Sequence, residues 1–165
     1  VDVESLIIKM MSYYELIAED RGIRFESSGD FRAVLGDDSL LQRLFANLIS
    51  NAIYYAASDS IITITAVSKT ASLIKHNAHA LRETVQQPSL NITITNRLQT
   101  PLTQAEADRL FERFYRHHKS NNQHSGTGLG LAIVQAIVNA HNGKVSITIK
   151  DGYYFQVNVQ LLKES

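Results

Sequence analysis

Apolar positions along this chain recur with two periods, and the change from one to the other marks out its elements. Asp2 can accept from the free N–H groups of a helix start, and behind it Leu6, Met10, Tyr13 and Ile17 fall at helical spacing, which predicts a helix ending near Gly22. Ile23 to Glu26 and Ala33 to Leu35 read as short strands around the polar turn Ser27-Ser28-Gly29-Asp30. Gly36-Asp37-Asp38-Ser39 then caps a long helix from Leu40 to about Ala56, with Leu41, Leu44, Leu48 and Ala52 on one stripe. Ile61 to Val67 and Leu90 to Thr95 alternate with period two and predict strands. Ser68 to Ser89, between them, is polar, carries two histidines and has no strong pattern. A connection of that length predicts a short helix of its own or a mobile excursion.

Thr103 and Glu106 have the spacing of a capping box and open a short helix, followed by the run Phe111 to Arg116 and a polar loop rich in His and Asn. Leu129 to His141 is a second strongly apolar helix, stopped by Asn142-Gly143. Lys144 to Lys150 and Tyr153 to Leu161 alternate cleanly around Asp151-Gly152, the clearest hairpin signal in the chain. These elements predict an α+β fold: a two-layer sandwich with a mixed, mainly antiparallel sheet covered on one face by three helices, residues 1–165 forming one domain.

Composition narrows the function classes. Formal net charge is zero, which gives no electrostatic footprint for nucleic acid or a membrane surface. There is no cysteine, so disulfides and thiolate metal sites are excluded. No apolar run has the length of a membrane span. A start at Val1-Asp2 rather than Met suggests a piece of a longer protein.

Candidate chemistry gathers at three places. In Gly126-Thr127-Gly128-Leu129-Gly130, glycines alternate with other residues immediately before an apolar helix. Close backbone approach and a helix N-terminus make such a loop an anion site, or else only a tight turn. The P-loop signature G-K-[ST] is absent. Asn47 and Asn51 lie four residues apart on one face of the long helix, although asparagine is a poor helix former. They are either solvated polar residues, or amides whose oxygens ligate a hard cation and whose nitrogens donate to phosphate. Phe111-Glu112-Arg113-Phe114-Tyr115-Arg116, taken alone, is an amphipathic segment at the edge of a core.

Taken together and in this order, the three resemble the ATP-binding domain of histidine kinases, in the superfamily shared with DNA gyrase. Leu40 to Ala56 (LLQRLFANLISNAIYYA) resembles the family's asparagine box, Leu110 to Arg116 (LFERFYR) its phenylalanine box, and Gly126 to Ile133 (GTGLGLAI) its second glycine box. The resemblance implies that Asn51 ligates Mg²⁺ between the phosphates and that Asn47 contacts phosphate or metal-bound water. It implies that Arg116 reaches toward the phosphates and that Gly126, Thr127, Gly128, Leu129 and Gly130 form the cradle behind an ATP lid over His117 to Ser125. Phe111 and Phe114 would anchor that lid, and Tyr55 would lie near adenine and ribose; plain core packing is the other reading of all three aromatics. The superfamily's ATPases carry a glutamate four residues before the metal asparagine. Here that place is Asn47, which takes no proton, so the resemblance points to the kinase branch.

What it implies of the parent is a membrane-anchored homodimer with this domain in the cytoplasm. ATP and Mg²⁺ would be its ligands. A histidine on a separate dimerisation and phosphoacceptor domain would receive the γ-phosphoryl, for relay to a response regulator, with no role for nucleic acid. The chain departs from the family at the first glycine box. Where an Asp-x-Gly-x-Gly pattern belongs, it has Thr95-Asn96-Arg97-Leu98-Gln99-Thr100-Pro101-Leu102, with Asn96 or Arg97 at the aspartate's position. Asn96 can still accept the adenine amine, while Arg97 cannot. That departure motivates a second reading, a regulatory or interaction module impaired in nucleotide binding.

Overall fold

The computed structural model describes residues 1–112 and 130–163. In chain order the elements are α1 (Val3–Tyr13), α2 (Glu15–Asp20), β1 (Arg24–Gly29), α3 (Asp38–Tyr55), β2 (Ile61–His76), β3 (Arg82–Arg97), α4 (Gln104–Asp108) with a 3₁₀ turn (Arg109–Phe111), α5 (Gly130–Ala140), β4 (Lys144–Lys150) and β5 (Tyr154–Leu162). The five strands form one sheet in the order β1-β2-β3-β5-β4. β1 runs parallel to β2, and every other pairing is antiparallel.

Strand alternation sorts this sheet into two unlike faces. Ile62, Ile64, Leu90, Ile92, Ile94, Phe155, Val157, Val159 and Leu161 are buried on one side, in a core shared with Val3, Ile7, Leu41, Leu44, Phe45, Leu48, Leu131, Val134 and Val138 of α1, α3 and α5. The three helices thus cover one face, as the pattern predicts. The other face is polar: Thr93 Oγ1 donates to Asn158 Oδ1 (3.2 Å), and Asn158 Nδ2 donates to Thr148 Oγ1 (3.1 Å).

α3 occupies the middle of the helical layer and packs on β3, α1 and α5. Seven of its side chains are buried, Leu41, Leu44, Leu48 and Ala52 among them. At its start Asp37 Oδ1 accepts from Leu40 N (2.8 Å), and Asp37 N donates to His141 Nε2 (3.1 Å). His141 Nδ1 lies 2.8 Å from Ile137 O, so the ring carries its proton there and ties the end of α5 to the start of α3. At the other end of α3 the Arg21 guanidinium donates to the carbonyls of Ile53 and Ala56. Burial lowers the Arg21 pKa, and the group still stays charged at any working pH. The end of β3 is stitched to the same place: Ala57 N donates to Arg97 O (2.7 Å) and Gln99 N to Tyr55 O (3.1 Å).

Three expectations are corrected. The first helix is two helices with a break at Tyr14, and Tyr13 and Ile17 are exposed; Val3, Leu6, Ile7 and Met10 make the buried stripe. Asp2 does cap it, accepting from Ser5 N at 3.1 Å, and that bond lowers the Asp2 pKa. Residues 33–35 are not a strand, since Val34 only forms an isolated bridge with Lys163, while β1 continues through Ser27 and Ser28 to Gly29. The segment Ser68 to Ser89 is neither a helix nor a loose excursion. β2 and β3 continue in unbroken register from Thr63↔Thr95 to His76↔Arg82, and Asn77 to Leu81 close the hairpin. From Lys69 to Gln87 these strands pair only with each other, as a two-stranded arm beyond the sheet.

Candidate functional site

Asn47, Asn51 and Tyr55 stand at intervals of four on α3 and so share one face of the helix. From first to last the axial rise is about 12 Å. At the Asn47 end the side-chain amide donates to Arg43 O (2.9 Å). Its Oδ1 is turned toward the first residue of α5, where a Cβ added to Gly130 would lie 3.8 Å from that oxygen. Four N–H groups at a helix start have no partner within the helix, so the Asn47 carbonyl and the opening turn of α5 bring an acceptor and donors to one end of the stripe.

At the Tyr55 end the environment becomes aromatic. The Tyr55 ring stacks on Phe155 with centroids 5.6 Å apart and planes 17° apart, and meets Tyr54 edge-on at 4.9 Å. Phe155 is the cross-strand partner of Asn96, so both side chains lie on the helix-covered face. Asn96 is 1% exposed, whereas Arg97, one residue on, points to the other side and is exposed.

The hydrogen-bond inventory gives this face its chemical meaning. Among the described residues, four buried side-chain polar atoms have no partner: Asn51 Nδ2, Asn96 Nδ2, Asn96 Oδ1 and Asn91 Oδ1. Three of the four belong to this one site. Each such atom costs about 1–3 kcal/mol while it stays unpaired. Three such atoms on this flank leave hydrogen-bonding capacity that the protein itself does not fill. Along the stripe the missing partners are an acceptor for Asn51 and, for Asn96, an adjacent donor and acceptor. The amide at Asn51 exchanges its nitrogen for its oxygen by rotation about χ2, so the same side chain suits a phosphate oxygen or a hard cation.

The segment that departs from the family pattern is firmly seated. Leu98 and Leu102 are buried, and Leu98 N donates to Tyr153 O (2.6 Å). The Leu98 side chain therefore fills the core two residues beyond Asn96. Gly130, Asn47, Asn51, Tyr55 and Asn96 are thus brought along one flank of α3. Phe114, Arg116, Gly126, Thr127, Gly128 and Leu129 lie outside the described residues, as do His117, His118 and His124. Phe111 is packed against the core. Among the described residues no group of three or more His, Asp or Glu could hold a metal ion. Phe155 is the site residue that sequence reasoning missed. Its place in an alternating strand marks it as buried, but nothing in the sequence shows that its ring meets Tyr55.

This fold and this site define a class. The chain belongs to the histidine kinase-, DNA gyrase B- and HSP90-like ATPases, whose family pattern matches residues 36–163. Within that family it is an ATP-binding catalytic domain of the sensor histidine kinase kind. The sensor histidine kinase CusS of Escherichia coli K12 is 36% identical over 141 residues, which are 85% of this chain and 26% of CusS. The sensor-like histidine kinase SenX3 of Mycobacterium tuberculosis is 30% identical over 155 residues, 92% of this chain and 33% of SenX3. The chain therefore spans about a quarter to a third of the length of these relatives. In three dimensions it is similar to the mycobacterial sensor histidine kinase MprB, with a TM-score of 0.71 at 23% identity, covering 98% of this chain and 95% of that one. The catalytic domain of histidine kinase ThkA gives 0.71 at 19% identity, with the same coverage. These comparisons do not favour the regulatory-module alternative. No helix among the described residues is long and apolar enough to cross a membrane.

Proposed function

We propose that this chain binds ATP along the Asn47–Asn51–Tyr55 face of α3 and positions its γ-phosphoryl for transfer to a histidine on a separate dimerisation and phosphoacceptor domain. From there the phosphoryl passes to an aspartate of a response regulator. The observation that carries this reading is the group of three unpartnered amide atoms on Asn51 and Asn96, set beside the Tyr55–Phe155 stack. Purine and ribose belong at the aromatic end, and the phosphates belong beside Asn51, Asn47 and the start of α5 at Gly130.

Asn51 is the side chain that would hold Mg²⁺, through its amide oxygen; the ion would neutralise the charge on the phosphates. Asn47 orients phosphate or water by hydrogen bonding and, having no proton affinity to offer, activates no water for hydrolysis. By family resemblance, Arg116 meets phosphate charge from the lid, Phe114 anchors that lid, and Gly126, Thr127, Gly128 and Leu129 continue the cradle to Gly130. Catalysis in such a site consists of positioning and charge stabilisation, since the nucleophile comes from elsewhere. Residues 1–165 act as one catalytic domain of a homodimeric, membrane-anchored parent, on its cytoplasmic side.

Incubating the chain with γ-labelled ATP, Mg²⁺ and the phosphoacceptor domain of its own parent tests this reading. Acid-labile label on the acceptor, lost when its histidine is replaced, is the expected result. Saturable nucleotide binding without any label transfer would overturn the kinase assignment.

A further inference from the structure

The Asn96 amide is buried with both of its polar atoms unpartnered, and its cross-strand neighbour Phe155 stacks on Tyr55. One planar group therefore presents a donor and an acceptor side by side, at the aromatic end of the site. Adenine offers a donor at its six-position amine and an acceptor at N1. Guanine offers the reverse, an acceptor at O6 and a donor at N1–H, with a second donor at its two-position amine. A carboxylate here could only accept. An amide does both, and a half-turn about its χ2 exchanges the two atoms; this terminal torsion is broad and roughly two-fold. No hydrogen bond holds Asn96 in either orientation, because neither atom has a partner.

We propose that Asn96 is a specificity-determining residue that reads the purine edge in either orientation, so that this site takes guanine as well as adenine nucleotides. The inference rests on the nucleotide reading of the site and adds to it the class of base. Asn96 itself is neutral, and the adjacent Arg97 is exposed on the opposite side of the strand. The amide orientation at Asn96 can satisfy either base.

Calorimetric titration of the chain with non-hydrolysable ATP and GTP analogues, each with Mg²⁺, tests the proposal. The two dissociation constants are expected to lie within tenfold of each other. In Asn96→Leu, which can neither donate nor accept, both dissociation constants should rise tenfold or more and by a similar factor. Circular dichroism confirms that this variant is folded, and the wild-type ratio stands as a test without it. A GTP analogue bound more than tenfold more weakly than ATP by the wild type overturns this inference alone. Unchanged affinity for both analogues in folded Asn96→Leu also overturns it. Failure of both analogues to bind overturns the nucleotide reading as well.

Discussion

At the scale of single residues, the site is defined by polar atoms that the fold leaves unsatisfied. Asn51 contributes a buried donor with no partner. Removing that donor relieves an unpaired group, so Asn51→Ala should change unfolding stability by less than about 1 kcal/mol. It should nonetheless weaken Mg-dependent nucleotide binding by about one to two decades, the equivalent of a charge-assisted hydrogen bond. Urea denaturation and calorimetry on the same preparation separate the two effects; retained affinity would remove Asn51 from the site. Arg21 gives the opposite pattern, since its guanidinium closes the end of α3 on the carbonyls of Ile53 and Ala56. For Arg21→Ala we expect a stability loss of about 2 kcal/mol in urea denaturation. Because Tyr55 ends the same helix, nucleotide affinity should fall with it.

Elements show which parts of the fold the sequence reveals and which it hides. The long helix α3, with its Asp37 cap and its buried leucines, has nearly the predicted bounds because one side is wholly apolar. The β4–β5 hairpin is equally legible. Asp151 and Gly152 both adopt positive φ, 53° and 75°, which is the conformation a tight turn between such strands needs. The arm of β2 and β3 is illegible for a physical reason. Its residues Lys69, Thr70, Ser72, Lys75, Glu83, Thr84 and Gln86 are exposed on both faces, so no period-two signal survives. The break at Tyr14 is hidden in a different way, because exposed Tyr13, Leu16 and Ile17 supply apolar letters that mimic a continuing stripe. Gly143 marks where α5 hands over to the sheet edge: a Cβ there would lie 2.2 Å from the Gln160 carbonyl oxygen. Gly143→Ala should therefore cost about 1–3 kcal/mol, by forcing β4 away from β5, and thermal unfolding should register it.

For the whole molecule, function depends on joining distant stretches of chain. Asn47 and Asn51 are visible as a pair from their spacing alone, and Tyr55 joins them in the sequence only through the family resemblance. Asn96 acquires its meaning only once β3 is paired with β5 and the Phe155 ring is set against Tyr55. The choice between Asn96 and Arg97 likewise turns on which face of the strand each residue takes, and the alternation of Leu90, Ile92 and Ile94 carries that phase once β3 is known to run on to Arg97. The arm lies outside this arrangement. Replacing residues 69–87 by a tight turn should leave one cooperative unfolding transition and unchanged nucleotide affinity, because those residues share no ladder with the rest of the sheet. Loss of cooperativity would show that the arm is part of the core. The most direct test of the site is titration of the intact chain with a non-hydrolysable ATP analogue, with and without Mg²⁺, followed by calorimetry. We predict one saturable site per chain that requires Mg²⁺ and is weakened by about one to two decades in Asn51→Ala. Absence of any heat or thermal shift at millimolar nucleotide would contradict it.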